Sequence, residues 1–585
     1  MLRFLVRFFA VIGLVLLVSL VGIAITVSRF IPDREATPEA IVLEFDLDQP
    51  LVEYAARNPA LAAWFGREVS LRHIADALDR AQADPRVKGL IARFGSEGVG
   101  MAKAQELREA VERFRASGRF ALAFAETFGE FGDGSRPYYV ATRFDEIWLQ
   151  PVGMVGLTGL ASEVPFARKA LEFLHLVPEI RHREEYKTAM NSLTETGFTP
   201  AHREMVESLL GDVSEQLVAG VAEGRRLDPA AVHALIDRSP LLDREALDGR
   251  LVDRIGYWDE MRDQALSRAG AEADTLDLID YLDRVGPPHR NGPTIALIHG
   301  TGVIQRGENH ASPLFGGIMG SASMEEAFDE AVKDKDVRAI VFRIDSPGGS
   351  AVASETIRRA VVRAKAAGKP VIVSMADTAG SGGYWIAMNA DRIIAHPATL
   401  TGSIGVVAGK MVSTGLWDSL GISWEAVERG KNAGIWSSRQ NYTESEFQRL
   451  DAILDDIYGA FTRNVAEARK LSLDGVKEIA KGRVWTGNQA LALGLVDELG
   501  GFETALARAR AAAGLAADAE ITLTVYPKPR SVFEEVMEVA LGVSEVRALS
   551  SVLTDMKPAL QILNNFGIIR DHIILGMPPT GLADP

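Results

Sequence analysis

SRPYYVATRFDEIWLQPVGMVGLTG (residues 135–159) returns 246 residues later as SGGYWIAMNADRIIAHPATLTGSIG (residues 381–405), without a gap. Eight of these 25 positions are identical: Ser135/Ser381, Tyr138/Tyr384, Ala141/Ala387, Asp145/Asp391, Ile147/Ile393, Pro151/Pro397, Gly156/Gly402 and Gly159/Gly405. Upstream, DPRVKGLIARFGSEG (residues 84–98) answers DKDVRAIVFRIDSPG (residues 334–348) at an offset of 250. A self-match of this kind decides the architecture before any element is assigned. The chain is read as a duplication.

Each half opens with a short apolar run fit for a buried strand, residues 40–47 and 294–299, followed by an amphipathic helix at 71–83 and 324–331. Further β-branched or aromatic runs at 89–94 and 120–124, and at 339–344 and 370–375, are separated by helical stretches. Alternating strand and helix predicts βαβ units, hence parallel sheets with right-handed crossovers. The fold class is therefore α/β with two tandem repeats, over residues 31–290 and 291–526, joined by the Pro- and Gly-rich linker 283–293. Beyond residue 527 the matching stops, and 527–585 reads as a C-terminal tail of mixed helical character.

Residues 8–27, FFAVIGLVLLVSLVGIAITV, carry no charge over twenty positions, the length an α-helix needs to cross a bilayer core. Residues 1–30 are expected to be a single transmembrane anchor. Arg3 and Arg7 precede the apolar run and place the N-terminus on the cytoplasmic side, so the body would be exported. A cleaved signal peptide is the rival, but its apolar core is normally shorter. Across 585 residues, 63 Lys and Arg stand against 79 Asp and Glu, a formal charge of −16 that argues against nucleic acid as a partner. There is no cysteine, which excludes thiol nucleophiles, disulfide scaffolds and Cys-zinc sites. No His-Glu-x-x-His motif occurs, and no metal, nucleotide or flavin site is expected.

Chemistry concentrates in the second half. Gly380, Gly382 and Gly383 surround Ser381 between a strand and a helix. There its hydroxyl would lie at a helix N-terminus, where unpaired backbone N–H groups favour developing negative charge. An isolated Ser-Gly-Gly is more often a plain helix cap. The run Asp345-Ser346-Pro347-Gly348-Gly349, closing a buried strand, shifts that balance, because ligands bind at the carboxyl ends of parallel strands. One N–H from this turn and one from Gly382 would make a two-donor oxyanion hole. A serine nucleophile also needs a base. Of the ten histidines only His396 lies near the motif, and at the end of a strand it reads as structural. A lysine desolvated in an apolar pocket can do the same work. Lys187 and Lys431 both contend, and for either one alone a solvated surface position is the commoner case.

The combination DSPGGS (345–350), AGSGGYW (379–385) and PATLTGSIGV (397–406) resembles the signal peptide peptidase A family of membrane-anchored bacterial Ser/Lys peptidases, in its double-length form. The resemblance covers nearly the whole chain. It implies a ClpP/crotonase-like fold in each repeat, with the nucleophile Ser381 in the second and the general base in the first. That base is Lys187, in Tyr186-Lys187-Thr188-Ala189, with Gly348 and Gly382 as oxyanion donors and Lys431 in reserve. Glu184 and Glu185 precede the lysine and are expected to face solvent. In the first repeat Arg136 and Pro137 follow Ser135 where the second has two glycines, and Ser135 is read as a relic.

The resemblance further implies an endopeptidase that degrades signal peptides after their release from preproteins. It would be a homotetramer held by its helix in the bacterial inner membrane, with its body in the periplasm. No cofactor is implied. Two rivals come from other classes: a crotonase-like acyl-CoA enzyme, and a catalytically silent membrane scaffold.

Overall fold

The computed structural model describes residues 38–49, 51–53, 69–95, 99–312, 316–527 and 573–576. The run at 8–27 expected to span the membrane lies outside them. Among the described residues no helix is long and apolar enough to cross a membrane.

The duplication is visible in the order of the strands. In the first repeat a parallel sheet runs Arg254–Ile255, Glu146–Leu149, Phe120–Ala125, Val87–Phe94, Ala40–Asp46, Ala273–Asp277. The second repeats this order in parallel as Glu498–Leu499, Arg392–Ala395, Val371–Gly380, Val337–Ser346, Thr294–Thr301, Thr522–Tyr526. Strand–helix alternation forces this layout, since a parallel neighbour can be reached only by a crossover over one face of the sheet. The central strands are largely apolar and buried on both faces, as in Phe120–Ala125, where all six residues are buried, while edge strands such as Ala273–Asp277 are mostly not.

Both helices predicted from periodicity are present, the first over the residues expected, 71–83, and the second longer than the expected 324–331, at Ser321–Lys333. Leu71–Ala83 is capped by Ser70, whose hydroxyl accepts from His73 N, and its counterpart is Ser321–Lys333. The repeats meet across the helix Met101–Ala116, which packs on the strand Val371–Gly380. At that seam Arg343 is buried and pairs with Glu53 (2.6 Å) and Glu106 (2.8 Å) of the first repeat.

A third sheet joins the halves. Its order is His310–Ser312, Gly316–Gly320, Val303–Gln305, Gly348–Gly349, Ile573–Gly576, Val407–Val412, Val177–His182. The last two strands come from different repeats and run antiparallel, Val407 facing His182 and Val412 facing Val177. In the tail, the described residues Ile573–Gly576 form a strand where helical character was expected.

Candidate active site

The strand Val371–Gly380 ends at Ser381, and the helix Gly382–Ala387 begins immediately after it. Ser381 takes φ 55°, ψ −112°, a region that L-residues rarely occupy. The bend is fixed from both sides: Ser381 N–H donates to Gly402 O (2.8 Å), and Ser381 O accepts from Trp385 N–H (2.9 Å). Strain held by surrounding bonds is characteristic of functional positions. Gly382 lies against the 348–349 turn so closely that a Cβ there would stand 3.1 Å from Gly349 N and 2.7 Å from Ser354 Oγ.

Lys187 reaches this bend from the other repeat. The antiparallel pairing of Val177–His182 with Val407–Val412 delivers the chain, and Tyr186 N–H is then tied to Lys481 O (3.1 Å). Gly482, at φ +78°, allows the close approach, since a Cβ there would sit 2.5 Å from Lys187 N. Lys187 Nζ lies 2.8 Å from Ser381 Oγ, 3.0 Å from Ser403 Oγ and 3.1 Å from Ser403 O. Lys187 is 1 % exposed and Ser381 is fully buried. All three oxygens are neutral, so nothing offsets the loss of hydration, and burial pulls the lysine pKa down to about 7. Near neutral pH a large share of this amine is uncharged and able to accept a proton.

The other sequence candidates fall elsewhere. Lys431 is exposed on a loop. Glu184 and Glu185 are exposed. His396 is buried against Glu106 (3.4 Å) and Glu109 (3.6 Å) at the seam between repeats. Ser135 is buried with its hydroxyl donating to Gly159 O (3.0 Å). Gly382 opens its helix, where the backbone N–H has no intrahelical carbonyl to bond. Gly348 N–H differs from expectation in being engaged, donating to Ser346 Oγ at 3.2 Å.

Ser403 is the site residue that sequence reasoning passed over. It sits inside the matched block, but its counterpart is Leu157, so identity between repeats could not mark it. The available signal was a hydroxyl in the repeat that keeps the glycines and an apolar residue in the one that lost them.

Comparison with known proteins agrees with this geometry. The chain is 32 % identical to "Protease 4" of Salmonella typhi over 507 residues, covering 84 % of this chain and 79 % of that protein. It is 29 % identical to "Serine protease SPPA, chloroplastic" of Arabidopsis thaliana over 511 residues, 85 % of this chain and 74 % of that one. It is also 34 % identical to "Putative signal peptide peptidase SppA" of Enterococcus faecium over 174 residues, 30 % of this chain and 51 % of that one. The family profile described as peptidase family S49 matches twice, at residues 129–272 and 363–516, once in each repeat. A duplicated α/β chain with a serine and a buried lysine in contact across its repeats thus belongs to peptidase family S49, and it is a serine peptidase.

Proposed function

We propose that the protein is a membrane-anchored endopeptidase that uses Ser381 as nucleophile and Lys187 as general base to degrade cleaved signal peptides. The observation that carries this reading is the 2.8 Å contact between Lys187 Nζ and Ser381 Oγ, with the amine buried among neutral oxygens. Neutral Lys187 takes the Ser381 proton as Oγ attacks the peptide carbonyl carbon. The oxyanion is held by Gly382 N–H and by Gly348 N–H, the latter exchanging Ser346 Oγ for the substrate. The ammonium returns its proton to the amine as the C–N bond breaks. Water, deprotonated by the same lysine, then attacks the acyl carbon, and the ester bond breaks as the ammonium returns that proton to Oγ, releasing the acid and restoring the serine and the neutral amine.

The groove fits an extended peptide. The chain's own segment Ile573–Gly576 lies between the turn Gly348–Gly349 and the strand Val407–Val412, antiparallel to both. This is strand addition, with main-chain pairing on two sides. Signal peptides as substrates follow from the sequence resemblance and from the name of the Enterococcus relative. Anchoring by residues 8–27, a periplasmic body on the inner membrane, ClpP/crotonase-like repeats and a homotetramer complete the proposal.

The test is a fluorophosphonate probe, with the labelled residue located by mass spectrometry, alongside hydrolysis of a fluorogenic peptide by Ser381→Ala and Lys187→Ala. Labelling at Ser381 and loss of turnover in both variants is expected. Full activity in Ser381→Ala refutes the nucleophile. Activity kept in Lys187→Ala and lost in Lys431→Ala moves the base.

A further inference from the structure

The strand Val371–Gly380 bulges one turn of chain before Ser381. Ile344 faces Met375, but Ser346 already faces Ala379, so Ala376, Asp377 and Thr378 stand opposite Asp345 alone. A bulge re-aims the strand that carries it, and here that strand delivers Ser381, while Asp345 leads into the turn at Gly348.

Three side chains hold this irregularity. Asp345 Oδ1 accepts from Thr378 N–H (3.1 Å), bridging the two strands where the ladder is broken. Asp377 Oδ1 accepts from Ala102 N–H (3.0 Å) and Lys103 N–H (3.1 Å), capping the helix Met101–Ala116 of the first repeat. Lys103 Nζ lies 2.9 Å from Asp345 Oδ2 and 3.2 Å from Asp377 Oδ2. Gly100 permits this approach, because a Cβ there would overlap the Asp377 carboxylate. The three side chains are only 12–15 % exposed.

The duplication separates this cluster from ordinary packing of the fold. At the two offsets Asp345 corresponds to Gly95, Asp377 to Phe131 and Lys103 to Ala353. Phe131 is 94 % exposed. The first repeat keeps the sheet and the helix that follows it, yet carries neither carboxylate at these positions, and its Ser135 hydroxyl donates to Gly159 O. Among the described residues the cluster stands beside the serine that contacts Lys187.

We propose that Lys103 is a positioning residue for the Ser381–Lys187 dyad: its ammonium, from the first repeat, bridges Asp345 and Asp377 and holds the Gly348 turn and the Ser381 bend at a fixed separation. Without that cation two carboxylates face each other beside Glu53, whose pKa burial raises to about 7 and which shares Arg343 with Glu106. Like charges so placed do not both stay ionised without moving apart. Burial already raises the Asp377 pKa. One carboxyl then takes up a proton at lower pH, and repulsion opens the bulge as pH rises.

The inference rests on the dyad proposed above, so Ser381→Ala is run alongside. The experiment measures kcat and KM on a fluorogenic peptide from about pH 6.5 to pH 9.5. Lys103→Met is expected to lose about tenfold or more in kcat near pH 9 with KM little changed, the scale of a sub-ångström misplacement of reacting groups. The loss should shrink toward pH 6.5. Lys103→Arg should retain most activity, and Lys103→Met with Asp377→Asn should recover most of the loss near pH 9. Asp345→Asn keeps an acceptor for Thr378 N–H but removes one end of the bridge, and it should lower kcat on its own. Wild-type kcat in both Lys103→Met and Asp345→Asn, or a loss equal at every pH and unrelieved by Asp377→Asn, overturns the inference. Activity surviving in Ser381→Ala would instead overturn the dyad.

Discussion

Replacing Lys187 by Met should abolish turnover and stabilise the folded protein near neutral pH, by an amount that disappears in alkali. The lysine pKa falls from 10.5 to about 7 on folding because of burial. Between these two values the unfolded chain binds a proton that the folded chain does not, so unfolding free energy rises with pH across that window. At 1.36 kcal/mol per unit, the shift costs the wild-type fold roughly 5 kcal/mol at or below pH 7 and nothing above about 10.5. Methionine matches the lysine stem and carries no such penalty. It leaves the Ser381 and Ser403 hydroxyls without their amine, at a cost of about 1–3 kcal/mol. A net gain of about 2–4 kcal/mol near pH 7 follows, turning into a net loss near pH 10. Urea unfolding of both proteins at about pH 7, 8.5 and 10 measures it. A stability difference that does not change with pH would refute the claim that the amine is buried at the expense of its charge.

Three further outcomes are expected. Gly482→Ala places a Cβ 2.5 Å from Lys187 N and must push that backbone back by nearly an ångström, so kcat should fall about a hundredfold with KM little changed; steady-state kinetics would show it. Ser403→Ala removes one of two Ser403 acceptors of Lys187 and keeps the carbonyl, so kcat should fall about two- to tenfold, one hydrogen bond's worth. Deleting residues 573–585 removes the strand now paired with Gly348–Gly349 and Val407–Val412, and should lower KM for an added peptide; unchanged KM would show that the segment does not compete for the groove.

The repeats and their parallel sheets were legible because backbone pattern is local. The strand at Val337–Ser346 announces itself by composition, and the 381–405 match carries the order of elements from one half to the other. Ser381 was legible for the same reason: glycines on both sides of a serine after an apolar run describe a bend. Lys187 was not legible from its own neighbourhood, where two glutamates and a histidine read as surface. Its burial is made by Gly405, Gly482 and Ser403, more than 200 residues away, and only the resemblance to a family pointed to it. The Lys103 bridge was hidden in the same way. A lysine in the first turn of a helix looks solvated until the fold brings Asp345 and Asp377 to it. The strand at Ile573–Gly576 gains its conformation from two partners in the second repeat, which no pattern inside the tail could show.

The most direct measurement is the rate at which a fluorophosphonate phosphonylates Ser381, with loss of fluoride, as a function of pH. With Lys187 poised at about 7, the rate should climb close to tenfold per pH unit below that value and level off above it. A climb continuing to about pH 10, where an ordinary lysine loses its proton, would contradict an uncharged amine at the site, as would a rate unchanged in Lys187→Ala.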